Sequence, residues 1–320
     1  LFAIMVGFAV ENIDASISTI EDVEKNIGLP VFGTVPYIQG KKAYGFLGLR
    51  RSKEREQRSR LISIYDPKAC ELESIKTLRT HIVQVMRKEN KKVMLFSSAL
   101  QQEGKSSIAA NMAVLLANLG MKTLLLDANM RRPTVYKFYG VSREPGLSDI
   151  LVGKIPWQEA VRNAADLITG ELDVDKLLHL QGLDNLRIIT CGTRTPNPAE
   201  LLHHYGMDRL LADLRVAYDA VIIDCPPVLP VTDTLALANK VDGVVVIYRV
   251  GKTKRDMLRR TKVQLQSVGA EICGVILNDI KKEEQLGAAA YQYKYHYDEM
   301  PAEKSGIINQ SLSKLSSIFI

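Results

Sequence analysis

A chain of 320 residues with 46% hydrophobic and 24% charged side chains is long and apolar enough to bury one large α/β domain with appendages, which excludes disorder throughout. Its net charge of +6 is modest, its distribution says more than its total, and no nucleic-acid partner is expected. The four cysteines, Cys70, Cys191, Cys225 and Cys273, are scattered without ligand spacing, which argues against a disulfide framework and a zinc site and fits a reducing cytosol.

Residues 1–10, LFAIMVGFAV, supply only about half of the apolar length that a spanning helix needs. They read either as the end of a longer apolar segment or as a short buried one. Between Lys41 and Arg60, eight Lys or Arg stand against only Glu54 and Glu56. That stretch is either a solvated linker or a contact with an anionic membrane surface. The expected organisation is an N-terminal piece over 1–40, a basic linker over 41–64, an α/β body over 65–281 and a tail over 282–320.

Within the body, helical and strand patterns alternate as a parallel sheet covered by helices requires. Segment 66–88 reads as a helix with Leu72, Ile75, Leu78, Ile82 and Val85 at core spacing. Strands are expected over 92–97, 122–127, 186–190, 220–224, 243–249 and 272–278; their continuous apolar runs suit strands buried on both faces. Helices are expected over 105–119, closed by Gly120, over 197–217, and over 254–268 before Gly269. The stretch 141–185 reads as short helices and loops.

The run KVMLFSSALQQEGKSSIAANMAVLLANLG reads strand, loop, helix, with Gln102, Glu103, Gly104, Lys105, Ser106 and Ser107 at the loop-to-helix junction. That is the context of a P-loop: helix N-terminal amides aimed at phosphate, a lysine for the outer phosphates and a hydroxyl for Mg²⁺. Ala99 stands where the motif has its first glycine, so the match is incomplete. Two apolar strands end in carboxylates, LLLD at Asp127 and AVIID at Asp224, on the edge where open α/β sheets bind ligands. Either acid is a candidate for Mg²⁺, which takes one or two carboxylates beside the oxygens of a nucleotide.

In the tail, YQYKYHYDEM places Tyr291, Tyr293, Tyr295 and Tyr297 at alternate positions. Alternation is the period of a strand with one face of rings, yet the run follows QLGAAA and lies beyond the last expected strand. Four exposed hydroxyls on a tether is the favoured reading.

Together, a P-loop, LLLDANMRRP and VIIDCPPVLPVTD resemble the Walker A, A′ and B motifs of bacterial tyrosine kinases, deviant P-loop NTPases of polysaccharide co-polymerase systems. ENIDASISTIEDVEKNIGLPVFGTVP is similar to the segment that follows the second transmembrane helix in fused members, and GLSDILVGK, NPAELL and VDGVVVIYRVGKTKRDMLRR fit the body. The resemblance implies ATP and Mg²⁺ as cofactors. Lys105 and Ser106 would hold phosphates and metal, Asp224 would act at the metal, and Asp127 would position metal and acceptor. Arg131 matches the arginine of a D-x-D-x-R pattern, and Asn278 a position that contacts adenine. Glu73, Lys76 and Arg79 match an E-x-x-R-x-x-R oligomerisation motif with lysine for the first arginine.

By the same resemblance, the tail tyrosines would be autophosphorylated in a neighbour's active site within a ring-like homo-oligomer. The partners would be polysaccharide polymerase and export proteins, and the place the cytoplasmic face of the bacterial inner membrane, reached through an upstream transmembrane region. Two residues depart from the pattern. Asn129 replaces the second acid of D-x-D-x-R and cannot accept a proton, which leaves the base open between Asp127 and Asp224. Gln101 and Gln102 replace a proline-glycine pair in the loop. The rival readings are a partition-type regulatory ATPase and a weakly catalytic, nucleotide-switched scaffold of the export machinery.

Overall fold

The computed structural model describes residues 20–38, 60–66, 70–169, 177 and 182–280. The first helix, α1 (Ile20–Asn26), leads into strand β1 (Val31–Pro36), and the short α2 (Ile62–Tyr65) precedes the long α3 (Cys70–Lys88). Then come β2 (Val93–Ser98), α4 (Lys105–Ala117), β3 (Thr123–Asp127) and four short helices: α5 (Val135–Tyr139), α6 (Leu147–Leu151), α7 (Trp157–Ala160) and, after β4 (Val161–Arg162), α8 (Ala164–Thr169). The chain continues through β5 (Leu186–Ile189), α9 (Pro198–His203), α10 (Tyr205–Ala217), β6 (Ala220–Asp224), α11 (Asp233–Ala238), β7 (Gly243–Arg249), α12 (Arg255–Ser267) and β8 (Ile272–Ile280).

The strands form one eight-stranded sheet in the order β1-β8-β7-β2-β6-β3-β5-β4. All neighbouring pairs are parallel except β4 with β5. Each central strand alternates its apolar side chains between two cores, which explains the unbroken hydrophobic runs. Val93 and Leu95 of β2 join a core with Leu210, Leu214 and Leu258, from α10 and α12. Met94 and Phe96 join the opposite core with Ile75 and Leu78 of α3 and Ile108 and Met112 of α4.

Differences from the expected elements have local causes. The expected helix over 197–217 is two helices, because His204 adopts ψ 145° and its Nδ1 accepts a hydrogen bond from the Gly206 amide at 3.1 Å, capping α10. Strand β1 lies in the expected N-terminal piece, yet it pairs with β8, so the sheet extends beyond the body boundary expected at residue 65. Gly33 and Pro36 dilute its strand signal, and Pro is tolerated there because β1 is an edge strand. Among the described residues no helix is long and apolar enough to cross a membrane. Residues 1–19, most of the basic stretch and the tail with Tyr291, Tyr293, Tyr295 and Tyr297 lie outside the described residues.

The edge strand is held by side chains as well as by its ladder. Phe32 is 7% exposed and lies over Gly274, where an added Cβ would come within 2.8 Å of its ring. The Phe32 carbonyl faces His81 Nδ1 of α3 at 2.6 Å. Phe32→Ala should lower stability by about 3 kcal/mol. In urea denaturation this appears as a lower midpoint with an unchanged slope.

Candidate active site

β2 and β6 are parallel neighbours, and β6 pairs with β3 so that Asp127 and Asp224 are register partners at the carboxyl ends of their strands. Both carboxylates are fully buried. The loop after β2 passes over this edge and enters α4 at Lys105. Lys105 Nζ donates to Ser106 Oγ at 2.9 Å and lies 3.5 Å from Asp224 Oδ1. Among the described residues, neither buried oxygen of Asp224 has a hydrogen-bond partner. Two orphaned carboxylate oxygens beside a serine hydroxyl are the donor chemistry of a hard divalent cation, so Mg²⁺ fits here. Among the described residues no group of three or more His, Cys, Asp or Glu could hold a metal ion, so such a cation would draw its remaining ligands from substrate and water.

Burial pushes Asp224 above the carboxylate range, opposed by Lys105. Burial, with the neighbouring charge of Asp224, pushes Asp127 up to about 8. Asp127 Oδ1 accepts from the Asn129 amide at 3.0 Å and Oδ2 from the Val135 amide at 3.4 Å, which fixes the carboxylate without discharging it.

A cavity of about 580 Å³ opens over Lys105 and Ser106, and Asp127 and Asp224 lie behind them rather than in its lining. Gln102, Gly104, Lys105, Ser106, Ser107 and Asn278 line it, and so does Arg131. Their side chains play different parts. Ser107 Oγ turns to the Arg60 carbonyl at 3.4 Å. Asn278 Nδ2 donates to the Glu103 carbonyl at 2.8 Å, and a Cβ on Gly104, at φ 91°, would come within 2.2 Å of that nitrogen. Glu103 sends its carboxylate away from the cavity: it is 2% exposed and accepts from the Leu100 amide at 2.6 Å, the Arg249 amide at 3.3 Å and Thr253 Oγ1. Burial pushes this carboxyl up as well. Glu103 therefore braces the loop against the β7–α12 connection, and only its backbone is available to a phosphate.

Arg131 is clamped by a carboxylate that the sequence reading did not single out. Its Nε and Nη2 donate to the two oxygens of buried Asp233, each at 2.8 Å, which raises the guanidinium's pKa further. Arg249, also missed, donates from Nη1 to the Gln102 carbonyl at 2.9 Å and from Nε to Asp279 at 2.6 Å. The PVTD sequence hinted at a helix start at Asp233, but its partner lies 102 residues away. Gln102 adopts φ 64° where the resembled pattern has glycine, so the loop keeps the left-handed turn despite a side chain. On α3, Lys76 Nζ pairs with Glu73 at 2.5 Å, and Arg79 lies one turn on, its Nε buried without a hydrogen-bond partner among the described residues.

A lysine and a hydroxyl at a helix N-terminus, above two buried carboxylates on the carboxyl edge of a parallel sheet, define a P-loop nucleotide-binding protein. The family described as "AAA domain" matches residues 92–252. Tyrosine-protein kinase YwqD of Bacillus subtilis (strain 168) is 32% identical over 235 residues, covering 73% of this chain and 92% of the relative, and the chain belongs to the bacterial tyrosine-protein kinase family. A putative tyrosine-protein kinase EpsB of Ralstonia nicotianae is 28% identical over 92% of this chain, which spans only 36% of that relative. The solved kinase domain of Escherichia coli tyrosine kinase ETK superposes with a TM-score of 0.68 at 27% identity, covering 83% of this chain and 96% of that one.

Two outcomes test the site. Gly104→Ala should cut ATP affinity by at least about tenfold with little loss of fold, because the added methyl collides with Asn278 and strains a left-handed position; titration calorimetry and a thermal melt separate the two effects. The second concerns pH. A carboxyl raised in the folded state stabilises below its unfolded pKa, and that stability is lost as pH rises towards about 8. Relative to wild type, nucleotide-free Asp224→Asn should therefore gain stability progressively from pH 5 to pH 8, reaching on the order of 2 kcal/mol. Melting curves of the two proteins across that range read the difference directly.

Proposed function

We propose that this chain transfers the γ-phosphoryl group of ATP to tyrosine hydroxyls, among them its own Tyr291, Tyr293, Tyr295 and Tyr297 presented in trans by a neighbouring copy. Autophosphorylation of the tail would regulate the chain length and export of an exopolysaccharide or capsule, at the cytoplasmic face of the inner membrane beside the polymerase and export proteins. The observation that carries the reading is the pair of buried carboxylates, Asp127 and Asp224, beneath Lys105 and Ser106. Membership of the tyrosine-protein kinase family supports the acceptor class.

In the reaction, the tyrosine oxygen bonds to the γ-phosphorus as the bond from that phosphorus to the β–γ bridging oxygen breaks, and ADP leaves. Lys105 and the amides of the loop neutralise charge on the phosphoryl oxygens. Ser106 and Asp224, with Asp127 in reach, would hold Mg²⁺, which supplies further positive charge at the transferring group. Asp127 or Asp224 would take the tyrosine proton, the two lying side by side at the carboxyl ends of their strands. Arg131, fixed by Asp233, presents a guanidinium at the cavity wall. Asn129 is spent on the turn, donating to the Arg132 carbonyl at 3.1 Å and accepting from the Arg132 amide at 3.3 Å.

Each tail phosphate brings about 1.5 to 2 negative charges, so a phosphorylated tail is repelled by the acidic floor and the unmodified tail favours assembly. Glu73, Lys76 and Arg79 of α3 would contribute to that assembly as a charged helix face.

Mass spectrometry of the protein after incubation with Mg-ATP should find phosphate on the tail tyrosines. Lys105→Met and Asp224→Asn should each reduce it by at least about 100-fold. ATP hydrolysis with no phosphotyrosine would instead point to a regulatory ATPase of the partition type.

A further inference from the structure

The cavity has an end on the β3 side of the P-loop, opposite the β8 side that carries Asn278. β2, β6 and β3 are successive neighbours in the sheet, and the loops leaving their carboxyl ends bring Gln101, Pro230, Arg131 and Arg132 to the cavity lining. All four are exposed. Asp127, one of the two candidate bases, closes β3 five residues before Arg132. An acceptor that reaches the γ-phosphate from this end has the β3 loop for its wall.

The two arginines of that loop are not equivalent. Arg131 is spent on Asp233, whose two oxygens it holds at 2.8 Å each. The backbone of Arg132 is fixed by the Asn129 amide, and its Nη1 donates to the neutral side-chain oxygen of Gln101 at 2.7 Å. Among the described residues no acid pairs with Arg132. A guanidinium held only by an amide at the rim of a cavity can exchange that partner for a carboxylate or a phosphate, to which it bonds about twice as strongly.

The tail supplies such partners unevenly. Of its four alternating tyrosines only Tyr297 has an acid beside it, with Asp298 and Glu299 in the two following positions, whereas Gln292, Lys294 and His296 follow Tyr291, Tyr293 and Tyr295. The alternation adds a second property. A phosphate on any of the last three tyrosines stands two residues after the tyrosine before it, the place that Glu299 holds relative to Tyr297. Two residues of extended chain cover about 7 Å, so the acidic mark stays at the rim beside Arg132 while the hydroxyl is inside.

Resting on the kinase reading of the site, we propose that Arg132 selects tyrosines followed by an acidic group, and that the tail of a neighbouring copy is therefore phosphorylated in order from Tyr297 back to Tyr291. Asp298 and Glu299 draw Arg132 from Gln101, and Tyr297 goes first. Each transfer converts one ATP and one tyrosine hydroxyl into ADP, a phosphate ester and a proton. The ester brings about 1.5 to 2 negative charges and marks the tyrosine two positions earlier as the next acceptor. Lys294, which directly follows Tyr293, is repelled by the arginines until the phosphate on Tyr295 outweighs it.

The test follows the intact chain in Mg-ATP by time-resolved tandem mass spectrometry that localises each phosphate. Phosphate should appear first on Tyr297 and then on Tyr295, Tyr293 and Tyr291 in that order. Asp298→Asn combined with Glu299→Gln should slow Tyr297 about tenfold. With a synthetic peptide of residues 289–300 as acceptor, Arg132→Ala should raise KM about tenfold with little change in kcat, and Arg132→Lys should restore part of the loss. The same peptide carrying phosphate on Tyr295 alone should be modified at Tyr293 about tenfold faster than the unmodified peptide. ADP titrations and thermal melts check that the arginine variants keep the nucleotide site and the fold. Equal initial rates at the four tyrosines, an unchanged order in Arg132→Ala, or no acceleration by the phosphate on Tyr295 overturns the inference and leaves the kinase reading standing. Absence of phosphotyrosine from the wild-type chain removes the kinase reading, and the selection with it.

Discussion

Two carboxylates held side by side in a dry sheet edge, with one ammonium above them, are the constraint around which the rest of this protein is arranged. Asp127 and Asp224 are fixed as neighbours by the β3–β6 register, and neither can retreat to solvent. Buried like charges are costly unless compensated. Lys105 at 3.5 Å compensates Asp224 only in part, and among the described residues its two oxygens have no hydrogen-bond donor. The floor of the site is thus a buried pair of acids whose negative charge a divalent cation would neutralise.

Holding that arrangement requires a rigid loop, and the rigidity comes from behind it. Glu103 anchors the loop to the Arg249 and Thr253 region, Arg249 clasps the Gln102 carbonyl, and Asn278 clasps the Glu103 carbonyl. These contacts tie β2, β7 and β8 to one another at their carboxyl ends. A loop carrying a carboxylate in a phosphate site looks self-defeating in sequence. In the structure that carboxylate is the brace, turned away from the ligand and held by three donors.

The site was legible in sequence where chemistry is written contiguously. Gly104, Lys105 and Ser106 stand together, and Asp127 and Asp224 each close an apolar run, where a lone charge stands out. What could not be read is pairing across distance. Asp233 with Arg131, or Thr253 with Glu103, separated by 102 and 150 residues, carries no local signature. The six strands read as continuous apolar runs are present because burial on both faces leaves no room for polar alternation. β1 escaped because an edge strand is free to carry Gly33 and Pro36, and its membership depends on Phe32 finding the space above Gly274.

Asn129 shows how a departure from a pattern becomes intelligible in three dimensions. Its amide closes the turn after β3 in both directions, accepting from the Arg132 amide and donating to the Arg132 carbonyl. An ionised acid at that position could make the first bond but not the second, and it would add a third negative charge two residues from Asp127. The amide therefore relieves the floor of a charge and holds the turn that carries Arg131 towards Asp233. Under the proposed transfer, the proton-accepting role would fall to Asp127 or Asp224, since an amide cannot take it. Asp224 faces Lys105, Asp127 is held by the Asn129 and Val135 amides, and burial raises both carboxyls, so a base drawn from this floor would come from the pair.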